Sequence, residues 1–436
     1  MQAVIMCGGK GSRLRMVTND TIPKSMVSVA GKPLLLRQVE NLREQGIEEF
    51  VFAVGYLWNI IYDFFRDGSD FGVHIDYIIE ETPLGSAGAL YMLPPLLKSR
   101  KDFLLLSGDI LFDIDIARMK KFHEEKKAFA TQFIHPNDHP CDSDIIVCDN
   151  DMRIIRFDSK RNVRKYWYHS RVNAGLVLIN PEACNYVKKN KQVNLEGDLL
   201  PALLKRGMPL YAYQSSEYVK DIGKPERLAA AEQDIRQGRV AKKNLKNKQR
   251  AIFLDRDGTI NKQKGLICSE EQFELELYAA ESLNRLHAAG FLAIVVTNQP
   301  VVARGLCDIA AVDNIHAKME TLLGREGAYL DAIYFCPHHP DSGYPGENPK
   351  YKIPCVCRKP ATGMIEQAVS RFNIDVSDSW IVGDSTIDIQ TGLNAGLHTA
   401  LVLTGVGGKD GKYAVEPEIV GANLNDAIDR ILMTRI

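Results

Sequence analysis

The sequence predicts an α/β protein of two domains, each built on a largely parallel sheet. Short apolar runs alternate with amphipathic segments through both halves, which is the pattern of βαβ units. The length of 436 residues exceeds one ordinary core, at about 150 residues per domain. Between the halves, from Arg236 to Arg250, the composition turns Gln- and Asn-rich and nearly loses its large apolar residues.

In the first half the runs include Ala3–Met6, Phe50–Val54 and Phe103–Leu106. In the second they include Ala251–Leu254, Leu292–Val296 and Trp380–Val382. Ala280–Ala289 reads as a helix stopped by Gly290, a residue suited to the left-handed position past a helix end. The stretch between the halves carries Arg239, Lys242, Lys243, Lys246 and Lys248. It reads as a solvated linker or helix, with a site for an acidic partner as the alternative. The expected division is therefore residues 1–235, a basic linker over 236–249, and 250–436. No period of 20–50 residues recurs, which argues against a solenoid.

Apolar residues at 45% and charged residues at 25% argue for a packed protein rather than a disordered one. A net charge of -1 gives no global electrostatic reason for a nucleic-acid or membrane partner. No apolar run approaches the ~18–20 residues of a membrane span. The opening Met-Gln-Ala-Val-Ile-Met-Cys breaks at Gly8-Gly9 and has neither a basic leader nor a signal h-region. Of nine cysteines, three fall between positions 336 and 357 and the others are scattered. That distribution points to a reducing cytoplasm and one metal cluster rather than a disulfide framework.

After the first apolar run comes Gly8-Gly9-Lys10-Gly11-Ser12-Arg13-Leu14, and then Pro23-Lys24. Glycines let backbone N–H groups approach phosphate oxygens where a loop enters a helix. Arg13 and Lys24 would add positive charge to a polyphosphate. Alone, the loop also fits a plain strand–turn–helix corner. It lacks the Gly-Lys-Ser/Thr of a Walker loop and the spacing of a dinucleotide fingerprint.

Joined to several later segments of the same half, the loop closely resembles the signature of nucleoside-diphosphate-sugar pyrophosphorylases, and the resemblance runs through most of residues 1–235. Glu81-Thr82-Pro83-Leu84-Gly85-Ser86-Ala87-Gly88 is similar to the family segment that lies against nucleobase and sugar. Leu106-Ser107-Gly108-Asp109 is similar to the strand end whose aspartate binds magnesium. Asn173-Ala174-Gly175 and Glu196 match positions that hold sugar hydroxyls. Lys220-Asp221-Ile222-Gly223-Lys224-Pro225-Glu226 resembles the closing motif, whose aspartate is the second metal ligand. Where the family often has Glu-Lys-Pro, this chain has Asp158-Ser159-Lys160, with Lys160 as the candidate for the sugar phosphate. The resemblance implies a GT-A-like sheet that binds a nucleotide and sugar through Gly8, Gly9, Gly11, Ser12, Gly85 and Ser86, with Mg²⁺ on Asp109 and Asp221. The chemistry suits these residue types, because nucleotidyl transfer without a covalent intermediate needs positioning and charge neutralisation. Hard oxygen ligands suit Mg²⁺. Each aspartate alone also fits a helix cap or turn.

The densest motif is Phe253-Leu254-Asp255-Arg256-Asp257-Gly258-Thr259-Ile260-Asn261. Two carboxylates just past a buried strand are costly unless something pairs with them, and a magnesium ion with a phosphate would. The segment resembles haloacid-dehalogenase-type phosphatases, whose four motifs are present in order. By that resemblance Asp255 is the nucleophile and Asp257 the general acid and base. Thr297 and Lys359 hold the phosphoryl group, Asn298 and Arg358 bind phosphate, and Asp384 completes a Mg²⁺ site with Asp255 and Asp257, supported by Asp388. Within that superfamily the similarity is to the heptose-bisphosphate and histidinol-phosphate phosphatases, through Thr297-Asn298-Gln299, Ala303-Arg304-Gly305 and Cys357-Arg358-Lys359-Pro360. Pro300-Val301 stands where that group commonly has Ser-Gly, and Ser385 where it often has lysine. Neither departure removes a catalytic group, and both bear on substrate fit.

Cys336-x-His338 and Cys355-x-Cys357 are two short pairs joined by 16 residues. Three thiolates and one imidazole form a structural zinc set. His339 is adjacent, and the family spacing favours His338. Gly343, Pro345, Gly346, Pro349 and Pro354 lie in the loop between the pairs, so the metal would give the loop its shape.

Two phosphate-handling domains on one chain imply consecutive steps. The resemblance implies a heptose-1,7-bisphosphate that loses its 7-phosphate and is then activated by GTP, with heptose phosphates and GTP as partners. Three alternatives stay open: another sugar such as mannose-1-phosphate with any of several nucleotides, a histidinol-phosphate phosphatase, or one domain serving as a non-catalytic binding module. Whether the chain forms a homo-oligomer is not legible in the sequence.

Overall fold

The computed structural model describes residues 1–99, 101–343 and 345–434, apart from the side chain of Ser12. The chain divides into two compact units. The first comprises Met1–His135, Asp144–Ser159 and Arg171–Asn244; the second comprises Pro136–Ser143, Lys160–Ser170 and the chain from Leu245 onward.

In the first unit the strands of four residues or more are β1 (Gln2–Met6), β2 (Glu49–Val54), β3 (His74–Ile79), β4 (Phe103–Ser107), β5 (Ile110–Asp113) and β6 (Ala130–His135). They continue as β7 (Ile145–Cys148), β8 (Ile154–Asp158), β9 (Val172–Ile179), β10 (Leu210–Gln214) and β11 (Tyr218–Asp221). Nine of them form one mixed sheet in the order β8-β7-β9-β4-β1-β2-β3, with β6 on β9 and β10 on β6. The three apolar runs expected as strands are strands, and β1 pairs parallel with β2 and β4. Successive side chains of a strand point to opposite faces. Accordingly Ala3 and Ile5 join one apolar cluster, while Val4 joins the other with Val51 and Leu105. Both faces are covered, which is why these strands read as unbroken apolar runs rather than alternating ones.

The remaining pair, β5 and β11, forms a separate antiparallel ribbon in which Asp221 faces Ile110. Ile222 N donates to Asp109 O at 2.8 Å. The ribbon thus brings together two aspartates that are far apart in sequence.

Within the basic stretch between the halves, only the end of one helix and a second helix of four residues are helical, and the rest is mostly turn. Helix α1 (Pro225–Arg236) is followed by the short α2 (Arg239–Lys242). Val240 packs against an apolar cluster with Leu34, Leu111 and Tyr218, and Leu245 is buried in the second unit.

The second unit has strands β12 (Arg250–Leu254), β13 (Phe291–Asn298), β14 (Ala332–Cys336), β15 (Trp380–Gly383), β16 (His398–Val402) and β17 (Ile419–Gly421). All pairs are parallel, in the order β14-β13-β12-β15-β16-β17. The order reverses between β12 and β15, and open α/β sheets bind ligands at the strand C-termini beside such a switch point. Ile252 and Leu254 point into one core cluster and Ala251 and Phe253 into the other, each buried side chain of this size contributing about 1.5–3 kcal/mol. Helix α3 (Ala279–Ala288) ends as expected: Gly290 has φ 82° and donates its N–H to His287 O.

Two segments from the first half of the sequence are part of this unit and pack on α4 (Ile309–Arg325). Thr321 Oγ1 accepts from Tyr168 N and donates to Tyr168 O, each at 2.9 Å. Pro140 lies against Gly324, where an added Cβ would sit 2.4 Å from Pro140 Cγ. Lys318 and Arg325 each lie 5.3 Å from the Trp167 ring.

Candidate active sites

In the first unit, β1 delivers the glycine loop and β4 ends one residue before Gly108-Asp109. Gly11 has φ 62°, and a Cβ there would lie 2.8 Å from Lys24 Cβ. The glycine therefore lets the loop close over the lysine. Lys24 Nζ donates to Asp109 Oδ2 and lies 3.7 Å from Asp221 Oδ1. Ser107 Oγ donates to Asp109 Oδ1 at 2.5 Å, and Arg227 Nη1 pairs with Asp221 Oδ2 at 2.7 Å. Burial pushes the Asp109 carboxyl up, but Lys24, Ser107 and Arg13 together outweigh it and hold it below its usual range. Asp221 Oδ1 is buried without a hydrogen-bond partner. Two converging carboxylates with one oxygen unsatisfied fit a hard divalent cation.

Beside them, β9 carries an irregularity between Asn173 and Val177, and such a bulge re-aims side chains. Asn173 Nδ2 donates to Glu196 Oε1 at 3.0 Å, and Gly175 N donates to Asn173 Oδ1 at 3.0 Å. Gly175 lies near Ser107, a Cβ there falling 3.7 Å from Ser107 Cβ, so these groups border the aspartate pair. Burial raises the Glu196 carboxyl above its usual range. Gly85 has φ 82° and packs on the backbone of Val193, while Ser86 Oγ accepts from Leu195 N at 2.8 Å. Gly8 packs against Glu80, and Gly9 has open space where a side chain would be. The Ser12 side chain lies outside the described residues, and Lys160 falls in the second unit.

In the second unit, Asp255 follows β12 and Asp384 follows β15, at the switch point. Lys359 Nζ lies 2.9 Å from Asp255 Oδ1 and 2.5 Å from Asp388 Oδ1. Asp255, Asp384 and Asp388 bring one oxygen each within 4.8 Å of one another. Burial pushes Asp255 up to about 6, with Lys359 pulling down and Asp388 and Asp257 pushing up. Burial, then the charge of Asp255, pushes Asp384 up to about 8 against the Val406 N–H. Three buried carboxylates face one ammonium. A divalent cation would balance them, and without one the cluster keeps protons. Burial alone would lower Lys359, yet Asp255 and Asp388 hold it above its usual range. Gly258 is required here: with φ 81°, its Cβ would lie 2.3 Å from Asp384 Oδ2.

Thr297 Oγ1 accepts from Gln299 Nε2 at 3.0 Å. Asn298 is locked to the Lys359 backbone, Nδ2 donating to its O at 3.1 Å and Oδ1 accepting from its N at 2.9 Å. Arg358 Nη1 donates to His338 O at 3.1 Å. The phosphate-binding candidates are thereby tied to the Cys/His loop.

That loop brings all four candidates together. Cys336 Sγ lies 3.5 Å from Cys355 Sγ, 3.2 Å from Cys357 Sγ and 3.7 Å from His338 Nδ1. Cys357 Sγ lies 3.4 Å from Cys355 Sγ and 3.3 Å from His338 Nδ1. A tetrahedron with Zn–S of about 2.3 Å has edges of about 3.8 Å, so the four atoms, a few tenths of an ångström closer, are compatible with a closed zinc site. His339 points elsewhere, Nδ1 accepting from Asp341 N at 3.2 Å.

Residue reading missed several groups. Arg256, Gln299 and Asn261 surround Asp257, and Arg227 pairs with Asp221. The first three sit inside motifs already singled out and Arg227 directly follows one, but only folding shows which way each side chain turns. The departures have local explanations. Val301 is buried, and Pro300 O accepts from Arg304 N to start a tight turn. Ser385 caps α5 (Thr386–Ala395) in a capping box with Asp388. Among the described residues, no helix is long and apolar enough to cross a membrane.

Comparison with known proteins agrees with both geometries. Residues 2–238 match the nucleotidyl transferase family, and residues 356–427 match the HAD-hydrolase-like family. The chain is 34% identical over 236 residues to UTP--glucose-1-phosphate uridylyltransferase of Synechocystis sp., covering 51% of this chain and 60% of that one. It is 29% identical over 240 residues to mannose-1-phosphate guanylyltransferase of Mycobacterium tuberculosis, covering 55% and 65%. It thus spans less than two thirds of the length of these nucleotidyltransferase relatives. Over 156 residues it is 40% identical to D-glycero-beta-D-manno-heptose-1,7-bisphosphate 7-phosphatase of Yersinia pestis, covering 36% of this chain and 81% of that one. The chain belongs to the nucleotidyl transferase family and carries, after that domain, a haloacid-dehalogenase-type phosphatase domain of the heptose-bisphosphate phosphatase family.

Proposed function

We propose that the protein makes an activated heptose in two steps, in the cytoplasm. The second unit removes the 7-phosphate of D-glycero-α-D-manno-heptose-1,7-bisphosphate. The first then transfers GMP from GTP to the heptose-1-phosphate, giving GDP-heptose and pyrophosphate. The observation that carries the reading is one chain holding two lysine-and-aspartate sites, one in a sugar nucleotidyltransferase domain and one in a domain related to heptose-bisphosphate phosphatases.

In the phosphatase step, Asp255 attacks phosphorus, the bond to the sugar oxygen breaks, and Asp257 protonates that oxygen. Asp257 then takes a proton from the water that releases phosphate from Asp255. Thr297 and Lys359 hold the phosphoryl oxygens, with Asn298 and Arg358 around them. Mg²⁺ bound by Asp255, Asp257 and Asp384 would offset phosphoryl charge, and Zn²⁺ on Cys336, His338, Cys355 and Cys357 would shape the adjoining loop.

In the transferase step, an oxygen of the sugar phosphate attacks the α-phosphorus of GTP and the bond to the β-phosphate breaks. Arg13 and Lys24 hold the polyphosphate against Gly8, Gly9 and Gly11, with Ser12 beside them. Gly85 and Ser86 border the base, and Asn173, Gly175 and Glu196 hold sugar hydroxyls. Mg²⁺ on Asp109 and Asp221 would neutralise the triphosphate.

The test is one reaction followed by mass spectrometry. The full chain with Mg²⁺ receives the bisphosphate, with its β-anomer in a parallel tube, and equimolar ATP, GTP, CTP and UTP. Phosphate release with GDP-heptose is expected. UDP-sugar instead would favour a uridylyltransferase, in line with the Synechocystis relative. No phosphate from either anomer would refute the heptose assignment.

A further inference from the structure

Among the described residues, Arg256 is the largest fully buried side chain. It lies between the two aspartates of its motif and does not reach solvent. Its Nη2 donates to both oxygens of Asp257, at 3.0 and 2.9 Å, and its Nε lies 3.3 Å from Oδ1. Gln299 Nε2 donates to Asp257 Oδ2 at 2.8 Å and Asn261 Nδ2 to Oδ1 at 2.9 Å. The guanidinium is itself held from two sides. Nη2 donates to Gln299 Oε1 at 3.0 Å, and Nη1 faces His316 Nε2 at 3.3 Å.

His316 sits on α4, is 2% exposed and packs edge-on against Phe335, 5.3 Å away. An arginine offers only donors, so His316 Nε2 must be the unprotonated nitrogen. Burial, with the Arg256 charge next, keeps the imidazole neutral. The planar fork of an arginine imposes direction as well as charge. A chain therefore runs from α4 through His316 and Arg256 to Asp257. Gln299 cross-links it to Thr297.

We propose that His316, acting through Arg256, and Gln299, acting both directly and through Arg256, are positioning residues for the phosphatase reaction that aim the Asp257 carboxyl at the leaving oxygen of an alkyl phosphate. This rests on the assignment of Asp257 as the proton donor. A sugar alkoxide leaves only with a proton delivered in place, whereas a nitrophenolate leaves without one. Misaiming Asp257 thus slows phosphoryl transfer from the sugar ester to Asp255 and spares transfer from the aryl ester. The later water step is common to both, and kcat/KM reports the first transfer alone.

The experiment compares the full chain and its variants on a heptose 1,7-bisphosphate and on p-nitrophenyl phosphate. His316→Leu removes the acceptor facing Arg256. It is expected to lower kcat/KM on the sugar phosphate at least about tenfold, since small misplacements of a catalytic group are costly. On the aryl ester kcat/KM should stay within about twofold. His316→Gln restores an acceptor and should recover most of the loss. Gln299→Leu should show the same leaving-group signature and serves if His316→Leu does not fold, as judged by melting and bound zinc. Equal losses of kcat/KM on both substrates, or full activity of His316→Leu and Gln299→Leu on the sugar phosphate, would overturn the proposal. Asp257→Asn separates the two ideas. If it turns over the sugar phosphate normally, the proton-donor assignment fails; if it loses that activity while His316→Leu keeps it, only the positioning role fails.

Discussion

Each unit places a lysine between aspartates, but the surroundings differ. In the first, the Lys24, Asp109 and Asp221 side chains are 11%, 28% and 35% exposed. Their partners come from a loop, a strand end and a separate two-stranded ribbon. In the second, Lys359 and Asp388 are 4% and 1% exposed, and the group hangs from the C-terminal edge of one parallel sheet. The open site suits a triphosphate and a sugar that arrive together and must be aligned. The closed one suits a single phosphoryl group meeting a desolvated nucleophile. Burial therefore should make the second site more sensitive to charge changes and to pH, and the first more sensitive to loss of its metal ligands.

The largest effect should come from Asp255→Asn. It removes the nucleophile and should reduce phosphate release at least about 10⁴-fold while nucleotidyl transfer to a ready-made sugar-1-phosphate continues. Asp109→Ala should do the reverse, lowering nucleotidyl transfer about 10³-fold by removing a metal ligand. Phosphate release should be unchanged, and the protein should stay folded. Loss of both activities in either variant would break the picture of two separate sites.

Next in size is the metal cluster. Cys355→Ser should lower bound zinc and reduce the melting temperature of the second unit by about 10 °C, with nucleotidyl transfer unaffected. Normal melting with no bound zinc would show that the loop does not need the ion.

A pH series sharpens the contrast further. Without divalent cation, Asp255 and Asp384 titrate near about 6 and about 8 in the folded unit, against about 4 in an unfolded chain. The folded state then binds more protons than the unfolded one. Stability should fall as pH rises from about 4 to about 8. Adding Mg²⁺, or making Asp384→Asn, should flatten that slope in thermal melts; an unchanged slope would contradict the burial argument.

The smallest effect expected is at Ser385. Its hydroxyl and Asp388 form the capping box of α5, so Ser385→Ala should cost about 1 kcal/mol and about 3 °C, visible in the second unit alone.

Much of this was legible in the sequence because its causes are local. Doubly buried strands show as apolar runs, and Gly290 marks a helix end wherever it occurs. Cys336, His338, Cys355 and Cys357 could be read from spacing, since a metal needs ligands at short range along a loop. The β5–β11 ribbon was not legible, because nothing near Asp109 says that Tyr218–Asp221 will pair beside it. Nor was the docking of Pro136–Ser143 and Lys160–Ser170 on α4, where Gly324 and Thr321 look like ordinary helix residues until Pro140 and Tyr168 meet them. Arg256 is the clearest case. Nothing in the sequence sets it apart from its motif, and only the fold reveals that it is buried and clamps one of the two aspartates beside it.

The central claim is that two sites act in sequence on one sugar. Asp255→Asn and Asp109→Ala proteins, each alone and then mixed, would receive heptose-1,7-bisphosphate, GTP and Mg²⁺. We expect no GDP-heptose from the first alone, phosphate without GDP-heptose from the second, and GDP-heptose from the mixture. Nucleotide sugar made from the bisphosphate by Asp255→Asn alone, or a mixture that releases phosphate but forms none, would contradict the account.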